Sequence, residues 1–290
     1  LLQSLGAGSQ TTAYGYDTNS NLASITDPLS GTTAQAFDAL DRLVQQTDPL
    51  SGIIGYAYDA QDNLVSVTDP RGLVTDYTYN GFGDVIQLES PDTGATVFTL
   101  DAAGNVVSQT DARGVVTDFT YDALNRPLTR SYPATPADNV AYGYDDTTLG
   151  NRGLGRLTSV SYDSGSTSLV YDDYGRLVKE SRTIGGVVYT TDYSFDVAGN
   201  LLQMTYPDGR IVSYGRDVLG RVTSVTTQAD AAAAPVVVAS DIAYQPFGPV
   251  ASLTFGNGVV LSYSYDQDYR LTGITAGDGV NDVQDLTLAY

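Results

Sequence analysis

The chain has 290 residues, 42% of them hydrophobic, and a formal net charge of −20. That apolar content excludes a disordered chain, and that much negative charge excludes reading nucleic-acid phosphates or docking on an anionic membrane surface. Histidine and cysteine are both absent, which excludes disulfides, thiol chemistry and any nucleophile activated by histidine.

The acidity comes almost entirely from aspartate. Glu89 and Glu180 are the two glutamates among 34 acidic residues, which leaves 32 aspartates. Aspartate favours turns and disfavours helix interiors. With 22 Tyr, 30 Gly and abundant Val and Thr, the balance points to an all-β chain with many turns.

Read from the N-terminus, one unit keeps returning. Tyr14-Gly-Tyr16-Asp17 opens it, and the anchor aspartate recurs as Asp38, Asp59, Asn80, Asp101 and Asp122, always 21 residues on. The series continues through Asp145, Asp172, Asp196, Asp217, Gln245 and Asp266 at looser spacings, making twelve copies. A partial thirteenth starts at Asp285 and runs to Tyr290. A period held this long is the mark of a repeat architecture.

Each position in the unit has a physical reading. The residue before the anchor is Tyr or Phe in ten of twelve copies, Leu100 and Arg216 being the exceptions. Two residues earlier an aromatic usually returns, and period-two alternation is a strand with one packed face. Three residues after the anchor stand Gly83, Gly104, Gly175, Gly199, Gly220, Gly248, Asp41, Asp62 or Asn125, the types that reach positive φ at low cost. The anchor carboxylate is placed to accept backbone N–H groups in an Asx turn. An Asn or Arg follows, then Leu or Val and a second strand that ends at a further turn such as Asp69-Pro70-Arg71-Gly72. One copy is therefore one β-hairpin.

No segment has a helical period; the nearest, Thr227–Ala234, is ended by Pro235. Insertions interrupt the period at 133–139, 147–153 and 227–240. A lone hairpin is marginal in water. Twelve laid side by side form an antiparallel sheet about 115 Å wide at ~4.8 Å per strand, which twist drives to curve or close. The expectation is a single array over residues 1–290, a curved, spiralling antiparallel sheet.

The string Tyr-x-Tyr-Asp-x-x-Gly-Arg/Asn-Leu, seen at Tyr171-Asp172 with Gly175-Arg176-Leu177, resembles the YD-repeat (RHS) family. So does Tyr206-Pro207-Asp208-Gly209 leading to Gly220-Arg221-Val222. The resemblance covers essentially the whole chain. It implies a β-sheet spiralling into a hollow shell, which encloses a toxic C-terminal domain in bacterial toxins and contributes to adhesion ectodomains in animal relatives. A secreted or surface location, bacterial by this resemblance, and the remainder of the same polypeptide as partner follow from it. Since Leu1 is no initiator methionine and Tyr290 falls inside a repeat, the chain is expected to be a fragment.

Catalysis is not expected. The family's self-cleaving modules use Asp-Pro-x-Gly elements, but Asp69-Pro70-Arg71-Gly72 occupies the routine inter-hairpin turn here. No cofactor and no metal are expected; Asp278 to Asp282 resembles a calcium loop only faintly. The rows Asp17, Asp38, Asp59, Asp101, Asp122, Asp172, Asp196, Asp217 and Asp266 are assigned to turn capping. Arg42, Arg126, Arg176, Arg221 and Arg270, with Arg156, share one slot and are assigned to pairing between repeats. The leading reading is a non-catalytic shell segment. The alternative is an extracellular adhesion or carbohydrate-binding surface, because tyrosine rows beside carboxylates suit glycans.

Overall fold

The computed structural model describes residues 3–5, 10–246, 248–280 and 282–289. Among them are 26 β-strands, two short 3₁₀ turns and no α-helix. By its internal contacts the chain divides into two compact units, residues 1–140 and 141–290.

In the first unit each strand from Gln3–Leu5 to Pro127–Ser131 pairs antiparallel with the next in sequence. Two registers alternate. Within a hairpin, strands Ile53–Tyr58 and Leu64–Thr68 align Gly55 with Thr68 and Tyr58 with Leu64. Between hairpins the ladder is shorter, running from Ser66 opposite Asp76 to Thr68 opposite Val74. Adding 21 to every number gives the pairs of the next copy, Asp76 with Glu89 and Tyr79 with Val85. The period in the sequence is the period of the sheet.

Each hairpin of this kind carries a register shift just before its anchor, as between Ala57 and Tyr58. Two residues of the return strand, Leu64 and Val65, then oppose one aromatic. Such bulges increase local twist and re-aim the side chain beside them.

The hairpin loops are three-residue connections of the type I turn plus positive-φ kind. Asp59 N–H donates to the Asn63 carbonyl and Asp62 N–H to the Asp59 carbonyl, with Asp62 at φ 67. Ser20 (φ 71) and Tyr269 (φ 60) hold the same position, although neither type favours it. The surrounding hydrogen bonds impose the conformation.

The second unit continues the pattern from Leu157–Tyr162 to Asp282–Thr287. Its strands Val187–Phe195 and Val236–Tyr244 are longer, nine residues each. The segment Thr227–Ala234 is strand as far as Gln228. Asp230 then accepts the N–H groups of Ala232 and Ala233 to close a turn, so the loop proper is 229–235. The insertion after Asp145 docks on the neighbouring hairpin: buried Asn151 donates to the Leu169 carbonyl and accepts the Tyr171 N–H.

Burial is shallow in both units. Only Ile211, Ala239 and Ala276 are buried apolar residues among those described, at 8–9% exposure. Exposed and half-buried residues alternate along strands such as Thr32–Phe37 and Val74–Tyr79, as expected where apolar side chains pack mainly against neighbours in the same row.

Candidate functional site

The anchor turns build two rows of side chains along one edge of the hairpins. Asp122 is the pattern. Its Oδ1 accepts the N–H groups of Leu124 at 2.8 Å and Arg126 at 3.0 Å, and its Oδ2 accepts Arg126 Nε at 2.7 Å. Asp38, Asp172, Asp217 and Asp266 hold Arg42, Arg176, Arg221 and Arg270 in the same way. Asp17, Asp59, Asp101 and Asp196 hold the Nδ2 of Asn21, Asn63, Asn105 and Asn200. One copy is reversed: Asn80 Nδ2 donates to Asp84 Oδ2.

These bonds stabilise the charged carboxylate. The Arg42 guanidinium, then the Arg42 backbone N–H, holds Asp38 below its ordinary range. The Asn105 and Asn200 amides do the same for Asp101 and Asp196, and the Arg126 and Arg270 backbone N–H groups for Asp122 and Asp266.

The opposite edge repeats this chemistry. Asp27, Asp48, Asp69 and Asp111 each accept the N–H groups two and four residues on. In Asp69-Pro70-Arg71-Gly72, Arg71 Nε also donates to Asp69 Oδ2, while its Nη2 reaches Asp92. The Asp69 carboxylate is occupied by its own turn, and an arginine stands between it and Asp92. Its pKa is lowered, first by the Leu73 N–H. That is opposite to the raised pKa a carboxylic acid needs to donate a proton near neutrality.

Successive copies are fastened by three contacts. Tyr58, Tyr79, Tyr121, Tyr171, Tyr244 and Tyr265 each donate the phenol hydroxyl to a backbone carbonyl of the preceding hairpin, at 2.7–2.9 Å. The acceptors, such as Leu64 for Tyr79, lie beyond the end of the short inter-hairpin ladder, so the hydroxyl caps a carbonyl that no strand partner reaches. The slot arginines also lie over the next copy's ring: Arg42 over Tyr58 at 4.8 Å, Arg156 over Tyr171 at 5.7 Å, Arg176 over Phe195 at 4.9 Å and Arg221 over Tyr244 at 4.8 Å. Finally, Asn21, Arg42 and Asn105 bond the side chains of Asp41, Asp62 and Asn125 in the next turn.

Arg216, which breaks the aromatic pattern, performs the tyrosine's task. Its Nε and Nη2 donate to the Leu201 carbonyl at 3.1 and 2.8 Å, and its Nη1 to the Gly220 carbonyl at 2.7 Å. The sequence contains no signal for this, because both acceptors are backbone atoms.

Between neighbouring turns run grooves. One of 620 Å³ is lined by Asn63, Tyr79 and Gly83 among others, and the next of 760 Å³ by Asp84, Leu100 and Gly104. In the second unit a cleft of 450 Å³ lies among Tyr189, Tyr206, Pro207, Asp208 and Arg210. The Glu180–Arg182 ion pair, 2.6 Å long, lines an adjoining recess with Tyr189 and Tyr206. Among the described residues no group of three or more acidic side chains is placed to hold a metal ion. Asn281, in the segment from Asp278 to Asp282, and Tyr290 lie outside the described residues.

A family model described as Teneurin YD-shell matches residues 1–182, and one described as RHS Repeat matches 171–211 and 195–233. No curated protein matches the chain. Among solved structures, the TcdB2-TccC3-Cdc42 complex is similar over 97% of this chain, with TM-score 0.81 and 18% identity. The Tc holotoxin pore of Photorhabdus luminescens is similar over the same share, with TM-score 0.77 and 18% identity. The chain spans 17% of the length of each of those chains, so the likeness concerns the fold of one segment.

Proposed function

From the premise that this chain belongs to the Teneurin YD-shell family, we propose that it is a wall segment of a larger secreted or surface polypeptide, enclosing a C-terminal effector of the same chain. The observation that carries this reading is the shallow burial. In each unit the described side chains are mostly half-buried or exposed, and only three apolar residues, all in the second unit, are buried among those described. Such a wall is stabilised along its length by hairpin-to-hairpin contacts, not by a core beneath it, and leaves a whole face available to an occupant. The segment acts sterically. Anchor aspartates such as Asp38, Asp101 and Asp122 are engaged in turns with lowered pKa values, and no catalytic step is assigned to it. Residues 1–290 act as one continuous array of hairpins.

Limited proteolysis of the full-length polypeptide tests the reading. A C-terminal segment protected in the intact protein, and cleaved once the array is disrupted, is the expected result. Equal cleavage in both states would overturn it.

A second reading, carbohydrate binding, is favoured by one feature. Tyr189 and Tyr206, 44% and 37% exposed, flank the cleft beside the Glu180–Arg182 pair, giving aromatic plates next to polar groups. Glycan binding lost in Tyr189→Ala supports it; a glycan array without binders removes it.

A further inference from the structure

The fastening between copies changes at one place. Eleven of the twelve copies carry Tyr, Phe or Arg just before the anchor, and Leu100 is the exception. In the copy before it, the slot otherwise held by Asn, Arg or Pro holds Asp84, the one acid in that row. The two departures face each other across the 760 Å³ groove. The equivalent groove one copy earlier, where Tyr79 stands in place of Leu100, measures 620 Å³.

The groove at Leu100 presents a defined set of acceptors. Val85 stands five residues after its anchor, as Leu64, Val106 and Leu201 do after theirs. Leu100 has no hydroxyl to cap the Val85 carbonyl as Tyr79 and Tyr121 cap those of Leu64 and Val106. Half-buried Asp84 uses Oδ2 for Asn80. Its Oδ1 points toward Gly104, 3.7 Å from where a Cβ would stand. In the copies whose turn carries a side chain at Gly104's position, that side chain completes this contact, as Asp41 does for Asn21 and Asn125 for Asn105. Gly104 has none to offer.

The chain itself shows what fits. Arg216 fills the corresponding space and donates to the carbonyls of Leu201 and Gly220, whose counterparts here are Val85 and Gly104. A guanidinium has five donors in a planar fork, enough for both carbonyls and the Asp84 carboxylate. Against a chain of net charge −20, a cation is also the favoured sign.

We propose that the groove between the Asn80–Asp84 and Asp101–Asn105 turns binds a guanidinium group, carried by an arginyl side chain of a peptide segment lying along this edge. Lysine is a poorer occupant, because a compact ammonium cannot span three acceptors arranged for a planar fork.

The 290-residue chain is titrated with N-acetyl-arginine amide, N-acetyl-lysine amide and agmatine, followed by NMR shifts at Leu100 and Gly104. Saturable arginine-amide binding with Kd on the order of 1–10 mM is expected for so small a ligand, with the lysine amide about tenfold weaker. Asp84→Asn, which installs the residue other copies carry in this slot, weakens binding about tenfold. Leu100→Arg supplies the group internally, abolishing binding and raising the melting temperature. No saturable shift, equal binding of the lysine amide, or unchanged affinity in Asp84→Asn overturns the proposal. Binding of agmatine without the amide overturns the assignment to a polypeptide.

Discussion

Tyr121 donates its hydroxyl to the Val106 carbonyl at 2.8 Å, across the junction of two hairpins. The donor and acceptor are 15 residues apart, and the bond lies where the inter-hairpin ladder has already ended. It continues the fastening of one copy to the next with a side chain.

Tyr121→Phe removes that bond and keeps the ring. Leaving one half-buried carbonyl uncapped costs about 1 kcal/mol, and the fold survives because Phe37 and Phe195 occupy this position naturally. Urea unfolding should show a lower midpoint with an unchanged slope. A midpoint equal to that of the parent chain would show that the hydroxyl contributes nothing.

Arg216 supplies a sharper case, since three of its donors reach backbone carbonyls. Arg216→Leu reproduces the situation at Leu100 and removes charge-assisted bonds worth about 1.5–3 kcal/mol. Arg216→Tyr restores a hydroxyl aimed at the Leu201 carbonyl and should recover much of the loss. If the two variants melt alike, Arg216 is not the tyrosine's substitute.

These contacts mark the limit of what was legible in the sequence. The hairpin, its period and its turn chemistry were readable because they are local: Asp122, Asn125 and Arg126 meet within five residues of chain, and their types state their roles. The Leu64 and Val106 carbonyls that receive tyrosine hydroxyls have no side-chain signature, so that role of Tyr79 and Tyr121 was hidden. The arginine slot was visible, but its partners were not. Arg42 does reach the Asp62 carboxylate of the next turn, but the position facing Arg176 in its next turn is Gly199, which offers no carboxylate. Arg176 therefore pairs with Asp172 in its own turn and reaches the next copy through the Phe195 ring and the Asp196 carbonyl. The sameness of the two edges was also missed. Asp27-Pro28 and Asp48-Pro49 are spelled differently from the anchor turns, yet Ser30 and Ser51 take the same positive φ, 69 and 70.

Glycine substitutions separate conformational from steric demands. Gly72 has φ +80 and open space around a would-be Cβ, so Gly72→Ala costs about 1 kcal/mol from backbone strain alone. At Gly165 a Cβ would stand 1.8 Å from the Thr183 carbonyl oxygen of the paired strand. Backbone must move to relieve that, so Gly165→Ala should cost about 2–3 kcal/mol. Thermal melts of the two variants check the order; a reversed order would place the tighter constraint at the turn.

Acid should loosen the array through the same carboxylates that close its turns. Asp38, Asp59, Asp101, Asp122, Asp196 and Asp266 all have folded-state pKa values lowered from 3.8 by hydrogen bonds to the Asn or Arg slot. A depressed folded value means that the unfolded chain binds protons first as pH falls. Their contribution is complete above the unfolded value, about 3.9, and is lost as pH drops through the lower folded values. Relief of self-repulsion in a chain of charge −20 acts in the opposite direction between neutrality and pH ~4. At about 1 M salt, where the Debye length is about 3 Å, repulsion is screened while bonds of 2.7–3.0 Å inside each turn are affected least. Under those conditions the melting temperature should stay level from about pH 7 to 5 and fall below about pH 4. A melting temperature that holds or rises at pH 3 would mean that the aspartate turns add no stability through their charge.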